Sequence, residues 1–158
     1  RRFPERVGEI PGRSYAPEPP RGERPRLLVA LDTSLSMSRA ELDEVARHLA
    51  VLAPLSQLTI AECDTQVTRV YPFQGALDDV LGRGGTDLRP IFDAGLLRRL
   101  RPDGIVYFTD GQGPLPGAAP GVPVLWVLTR PEEFACPFGA LAVLQRKVEA
   151  PRPAPRRR

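Results

Sequence analysis

The segment Asp32-Thr33-Ser34-Leu35-Ser36 sets one carboxylate and two hydroxyls at alternate positions. Residues two apart on an extended chain point the same way, so these three oxygens can converge as the chain leaves a strand. Two other segments offer matching parts. Thr86 follows the loop Gly82-Arg83-Gly84-Gly85, and Asp110 sits in Thr109-Asp110-Gly111. Hard anionic and hydroxyl oxygens of this kind suit Mg²⁺, or Mn²⁺ in its place: Mg²⁺ keeps several waters and takes only a few protein ligands at about 2.0–2.1 Å. A zinc site of the usual His/Cys kind is not spelled out, because His48 is the only histidine and Cys63 and Cys136 lie far apart in sequence.

The surrounding pattern indicates how these residues are positioned. Arg26–Leu31 is a nearly continuous apolar run ending at Asp32, as expected of a strand buried on both faces. Gly104–Thr109, ending at Asp110, and Val122–Leu128 repeat that character. From Glu41 to Ala53, apolar Leu42, Val45, Ala46, Leu49 and Leu52 recur at helical spacing before Pro54. Gln57–Cys63 and Gln66–Tyr71 flank Asp64-Thr65 and read as a hairpin, giving one antiparallel edge strand. A short helical turn is expected over Leu77–Leu81 and a second main helix over Leu88–Leu100, with Pro90 in its first turn. Ala140–Val148 reads as a last edge strand. Strands alternating with helices predict an α/β fold: a doubly wound, mostly parallel sheet of Rossmann type, with one antiparallel edge strand and helices on both faces. Asp32 and Asp110 then fall at carboxyl ends of strands, where open α/β sheets bind ligands.

Composition bounds the rest. A chain of 158 residues, 42% hydrophobic, suits one domain with a real core. Nine of the 19 prolines fall within residues 1–25 and 151–158. Residues 1–25 are expected to be a disordered Pro/Arg-rich arm or linker, 26–149 the folded domain, and 150–158 a disordered basic tail. The two ends carry a net +6, whereas residues 26–150 carry −3, so the overall +3 belongs to the tails. A basic nucleic-acid-binding face is therefore not expected. No apolar run approaches the roughly 18 residues of a membrane span, and no signal peptide is legible, so a cytoplasmic protein is expected. The first residue is Arg, which points to a longer polypeptide upstream.

The order D-x-S-x-S, then G-G-T-D, then T-D-G after a buried strand resembles the metal-ion-dependent adhesion site of von Willebrand factor A (VWA) domains. Here it falls on Asp32, Ser34, Ser36, Thr86 and Asp110. The resemblance implies that the serines and the threonine ligate the ion, that the aspartates ligate directly or through water, and that an open coordination position takes an acidic side chain of a partner protein. It also implies work beside an AAA+ ATPase. Closer still is the resemblance to a bacterial VWA-like domain that follows a metallopeptidase-like domain. It is carried by Glu62-Cys63-Asp64-Thr65-Gln66-Val67, Gly82 to Pro90, Thr109 to Pro114, Leu125 to Thr129 and Pro137-Phe138-Gly139.

Simpler roles compete at several positions. Asp and Ser are ordinary N-cap residues, so capping the helix after the first strand is the simpler role for Asp32 and Ser34, and Asp87 fits a cap better than a sixth oxygen. Asp64 fits the hairpin turn, Trp126 the core, and Arg83 and Gln112 solvated loops. Capping alone does not explain why Ser36, Thr86 and Asp110 accompany Asp32. An enzyme is not expected: aspartyl phosphotransferases place a second carboxylate where Ser34 stands, and no nucleophile elbow, phosphate loop or nearby histidine base is present. The alternative to a metal-dependent interaction module is a non-catalytic scaffold domain of a longer metallopeptidase-like protein.

Overall fold

The computed structural model describes residues 23–34, 38–80, 84–130 and 133–144. The expected N-terminal arm, apart from residues 23–25, lies outside them, as do the basic tail, Ser36, Arg83 and the end of the last expected strand.

Six strands form one sheet in the order β3-β2-β1-β4-β5-β6. They are β1 (Arg26–Asp32), β2 (Gln57–Cys63), β3 (Val67–Pro72), β4 (Gly104–Thr109), β5 (Val124–Leu128) and β6 (Ala140–Val143). All neighbours pair in parallel except β2 and β3. The chain leaves β1 towards β2 on one side and later returns to β4 on the other, so the order reverses between β1 and β4. The helix expected after β1 is α1 (Arg39–Leu52). Its start is fixed by a capping box: the Glu41 amide donates to Ser38 Oγ at 3.2 Å, and the Ser38 amide donates to Glu41 Oε2 at 2.8 Å. Such a cap contributes about 1 kcal/mol and anchors the chain directly after residues 35–37.

Alternation along β1 sends side chains to two cores, one on each face. Val29 and Leu31 pack with Leu42, Val45 and Leu49 of α1. Leu28 and Ala30 pack on the other face with Ile91, Tyr107 and Trp126. Trp126 is fully buried, stacks on Tyr107 at 5.2 Å, and donates its indole N–H to the Phe138 carbonyl at 3.0 Å. The expected core role of Trp126 is what the structure shows.

Three local expectations need correction. Leu88–Leu100 is not one helix: a 3₁₀ turn (Pro90–Phe92) is followed by α2 (Ala94–Leu100). Asp93 separates them with an extended ψ of 128°, its carboxylate accepting from the Leu96 amide at 2.9 Å. A side chain that caps a new helix ends the old one. Over Leu77–Val80 no helix forms; Leu77 is instead a single buried anchor. Its carbonyl accepts from Arg39 Nη2 at 3.0 Å. Cysteines read from type alone as buried small hydrophobes; Cys63 is buried but Cys136 only half-buried, and both are free thiols.

Candidate functional site

Asp32 ends β1 and Asp110 follows β4 directly, so the register that sets Leu31 beside Phe108 brings both to the same sheet edge. Asp32 is buried, with 4% of its surface exposed. Its Oδ1 accepts from the Ser34 hydroxyl at 2.5 Å and the Ser34 amide at 3.1 Å, and its Oδ2 accepts from the Thr109 hydroxyl at 2.7 Å. Among the described residues no Arg, Lys or His lies within ion-pairing distance of it. Asp110 is also buried, and its Oδ1 accepts from the Gln112 amide at 3.1 Å, closing a tight turn through Gly111 at φ 84°.

Thr86 arrives from a loop stitched on both sides. The Asp87 amide donates to the Asp64 carbonyl at 2.8 Å and the Leu88 amide to the Pro114 carbonyl at 3.1 Å. The Thr86 side chain presses on Gly113 so closely that a Cβ there would sit 2.8 Å from Thr86 Cγ2. The Thr86 loop thus lies against the loop that begins at Asp110. Four of the five expected oxygen donors, Asp32, Ser34, Thr86 and Asp110, come from three segments grouped at the carboxyl edge. Ser36 lies outside the described residues.

The competing roles resolve locally. The Asp64 carboxylate accepts from the Gln66 amide at 3.2 Å and the Thr65 amide at 2.5 Å, a turn role. Asp87 accepts from the Arg89 amide at 2.9 Å, and the Arg89 guanidinium holds its carboxyl below the usual carboxylate range. Asp87 is therefore engaged with its own turn. Cys63 sits next to this region, but burial pushes its thiol up to about 12, far from a reactive thiolate.

Thr109 is the residue that spacing alone did not single out. Its hydroxyl donates to Asp32 and accepts from the Gly111 amide at 3.0 Å, so one buried group fixes the Asp32 carboxylate and the turn carrying Asp110. The signal was present in Thr109-Asp110-Gly111, where the threonine looked like a strand residue.

Among the described residues no three His, Cys, Asp or Glu side chains come together. The same sheet edge carries two buried carboxylates, Asp32 and Asp110, and the hydroxyls of Ser34 and Thr109 bonded to Asp32 or to its neighbouring turn. No helix among those residues is long and apolar enough to cross a membrane.

Residues 27–145 match the family profile described as VWA-like domain (DUF2201). An uncharacterised protein of Thermotoga maritima is 34% identical over 117 residues, which are 70% of this chain and 29% of that protein. The chain spans less than a third of that relative. The crystal structure of an aerotolerance-related membrane protein from Bacteroides fragilis, with multiple mutations to serines, shares the fold at a TM-score of 0.50 and 17% identity, over 66% of this chain and 67% of that one. On the extent of the family match, the chain belongs to the VWA-like domain family.

Proposed function

We propose that this domain is a protein-interaction module that holds one Mg²⁺, or Mn²⁺, at the edge of β1 and β4 and uses it to bind a carboxylate of a protein partner. The observation that carries the reading is Asp32: a buried carboxylate held by the hydroxyls of Ser34 and Thr109, with no cationic side chain beside it among the described residues. A carboxylate taken out of water needs compensation, and a metal ion supplies it where no arginine or lysine does. Asp32, Ser34, Thr86 and Asp110 would hold the ion, with Ser36 completing the set. When bound, the ion supplies a positive point charge and an open coordination position.

The chain's own residues do the positioning. Thr109 orients Asp32, the Gln112 amide orients Asp110, and Gly113 lets Thr86 approach. On this reading the ion binds a partner and the module carries out no reaction of its own. The VWA-like family resemblance favours an AAA+ ATPase as the partner's assembly and a longer metallopeptidase-like polypeptide in which residues 26–149 are the interaction domain; a cytoplasmic setting is part of the same proposal. A scaffold without metal is the second reading.

The experiment that separates the two is capture of binding proteins on the immobilised chain in Mg²⁺ and in EDTA, with Asp32→Ala alongside. Capture that needs Mg²⁺ and Asp32, in a variant that still melts cooperatively, supports the module. Equal capture by parent and variant, with or without Mg²⁺, supports the scaffold.

A further inference from the structure

The far edge of the sheet, at the amino ends of β4 and β5, carries a second surface. A groove of about 490 Å³ runs there beside α2, floored by Phe92, Leu97 and Val122 and flanked by Arg98, Arg101 and Pro102. Arg98, in the last turn of α2, and Arg101, the residue that ends it, both line this groove. Both are exposed, and among the described residues neither meets a carboxylate. Arg39, Arg47, Arg69 and Arg89 are each paired with an acid, whereas Arg26 and Arg99 share the unpaired state among the described residues; what distinguishes Arg98 and Arg101 is their place beside the apolar floor of this groove. Of the acids near α2, Asp93 accepts from the Leu96 amide at 2.9 Å and Asp103 from the Arg26 amide at 2.7 Å, and neither forms an ion pair with Arg98 or Arg101.

Arg101 is also placed against local preference. It ends α2 in the left-handed region, at φ 46° and ψ 54°, and is the only non-glycine with positive φ among the described residues. Glycine is the relaxed choice at that position, so an arginine there does nothing for the helix end that glycine would not do better. Its guanidinium is the part of the residue that remains to be explained.

We propose that this groove docks an acidic peptide segment of a protein partner, with an apolar side chain on the Phe92, Leu97 and Val122 floor and carboxylates on Arg98 and Arg101. The apolar floor selects a peptide over a phosphate backbone, and the pair of uncompensated guanidinium groups selects acidic over basic sequence. The surface is separate from the Asp32 edge and needs no metal ion.

The test is fluorescence anisotropy on the full chain in EDTA, which removes any contribution of a metal. The probe is a labelled peptide with Glu pairs flanking Phe and Leu; a Lys-for-Glu counterpart and a single-stranded oligonucleotide of equal charge run beside it. Saturable binding of the acidic peptide alone is expected. It should weaken about tenfold or more in Arg98→Gln/Arg101→Gly, a variant whose glycine suits the helix end and keeps the melting transition, and it should be unchanged in Asp32→Ala. Absence of acidic-peptide binding would overturn the proposal. So would equal affinity of the double variant, which would assign the peptide to arginines elsewhere, or tighter binding of the oligonucleotide, which would assign a phosphate surface.

Discussion

The hydroxyl of Thr109 donates to Asp32 Oδ2 at 2.7 Å across the junction of β1 and β4, and the same oxygen accepts from the Gly111 amide at 3.0 Å. One buried side chain therefore ties together the two segments that carry the carboxylates. Replacing it by valine keeps the shape and the β-branched fit to a strand but leaves a carboxylate oxygen and an amide without partners. Thr109→Val should lose about 1–3 kcal/mol of stability in urea unfolding, while Thr109→Ser should lose much less. Equal stability of Thr109→Val and the parent would show that the bridge contributes nothing.

Gly113 has φ 124°, and a Cβ there would meet Thr86 at 2.8 Å. Gly113→Ala is strained in its backbone and drives Thr86 away from the Asp110 loop. A cost of about 1–3 kcal/mol is expected, together with weakened Mg²⁺ affinity in a variant that still folds. Unaltered affinity in calorimetry would remove Thr86 from the site.

A buried ion pair supports the edge of the sheet. Glu62 is fully buried and receives two bonds of 2.7 Å from Arg69, whose guanidinium also lies over the Tyr71 ring at 5.3 Å. Arg69→Met strands the Glu62 carboxylate and should cost about 3–5 kcal/mol in denaturant unfolding. Glu62→Leu in the same chain should restore most of it, since the apolar pair has no charge to desolvate. A double variant no more stable than Arg69→Met would contradict this reading.

Burial pushes the Cys63 thiol up to about 12, so the thiolate is scarce at pH 8. In a Cys136→Ser variant, a disulfide reagent at pH 8 should leave the native chain unmodified and react with one thiol once guanidinium unfolds it. Fast reaction in the native chain would mean that Cys63 is accessible.

The strands that position the site were legible because β1, β4 and β5 are buried on both faces and so are apolar at nearly every position. Asp32 and Asp110 stand where those runs stop, which made the edge visible. The break at Asp93 was not legible, because the apolar residues on both sides of it, Ile91 and Phe92 before and Leu97 and Leu100 after, pack into the same core. Their spacing imitates one helix. Leu77 misled for a similar reason: one deeply buried anchor with apolar neighbours resembles a helical turn, while its fixing by Arg39 is a long-range bond that no local pattern announces. The role of Thr109 depends on strand order, which brings β1 beside β4.

The central claim is that the edge of β1 and β4 holds a divalent cation, and calorimetric titration with Mg²⁺ and Mn²⁺ tests it most directly, with Asp32→Ala/Asp110→Ala as the comparison. Saturable one-to-one binding to the parent and none to the folded variant is the predicted result. A parent that binds neither ion, or a variant that binds as well as the parent, would contradict it.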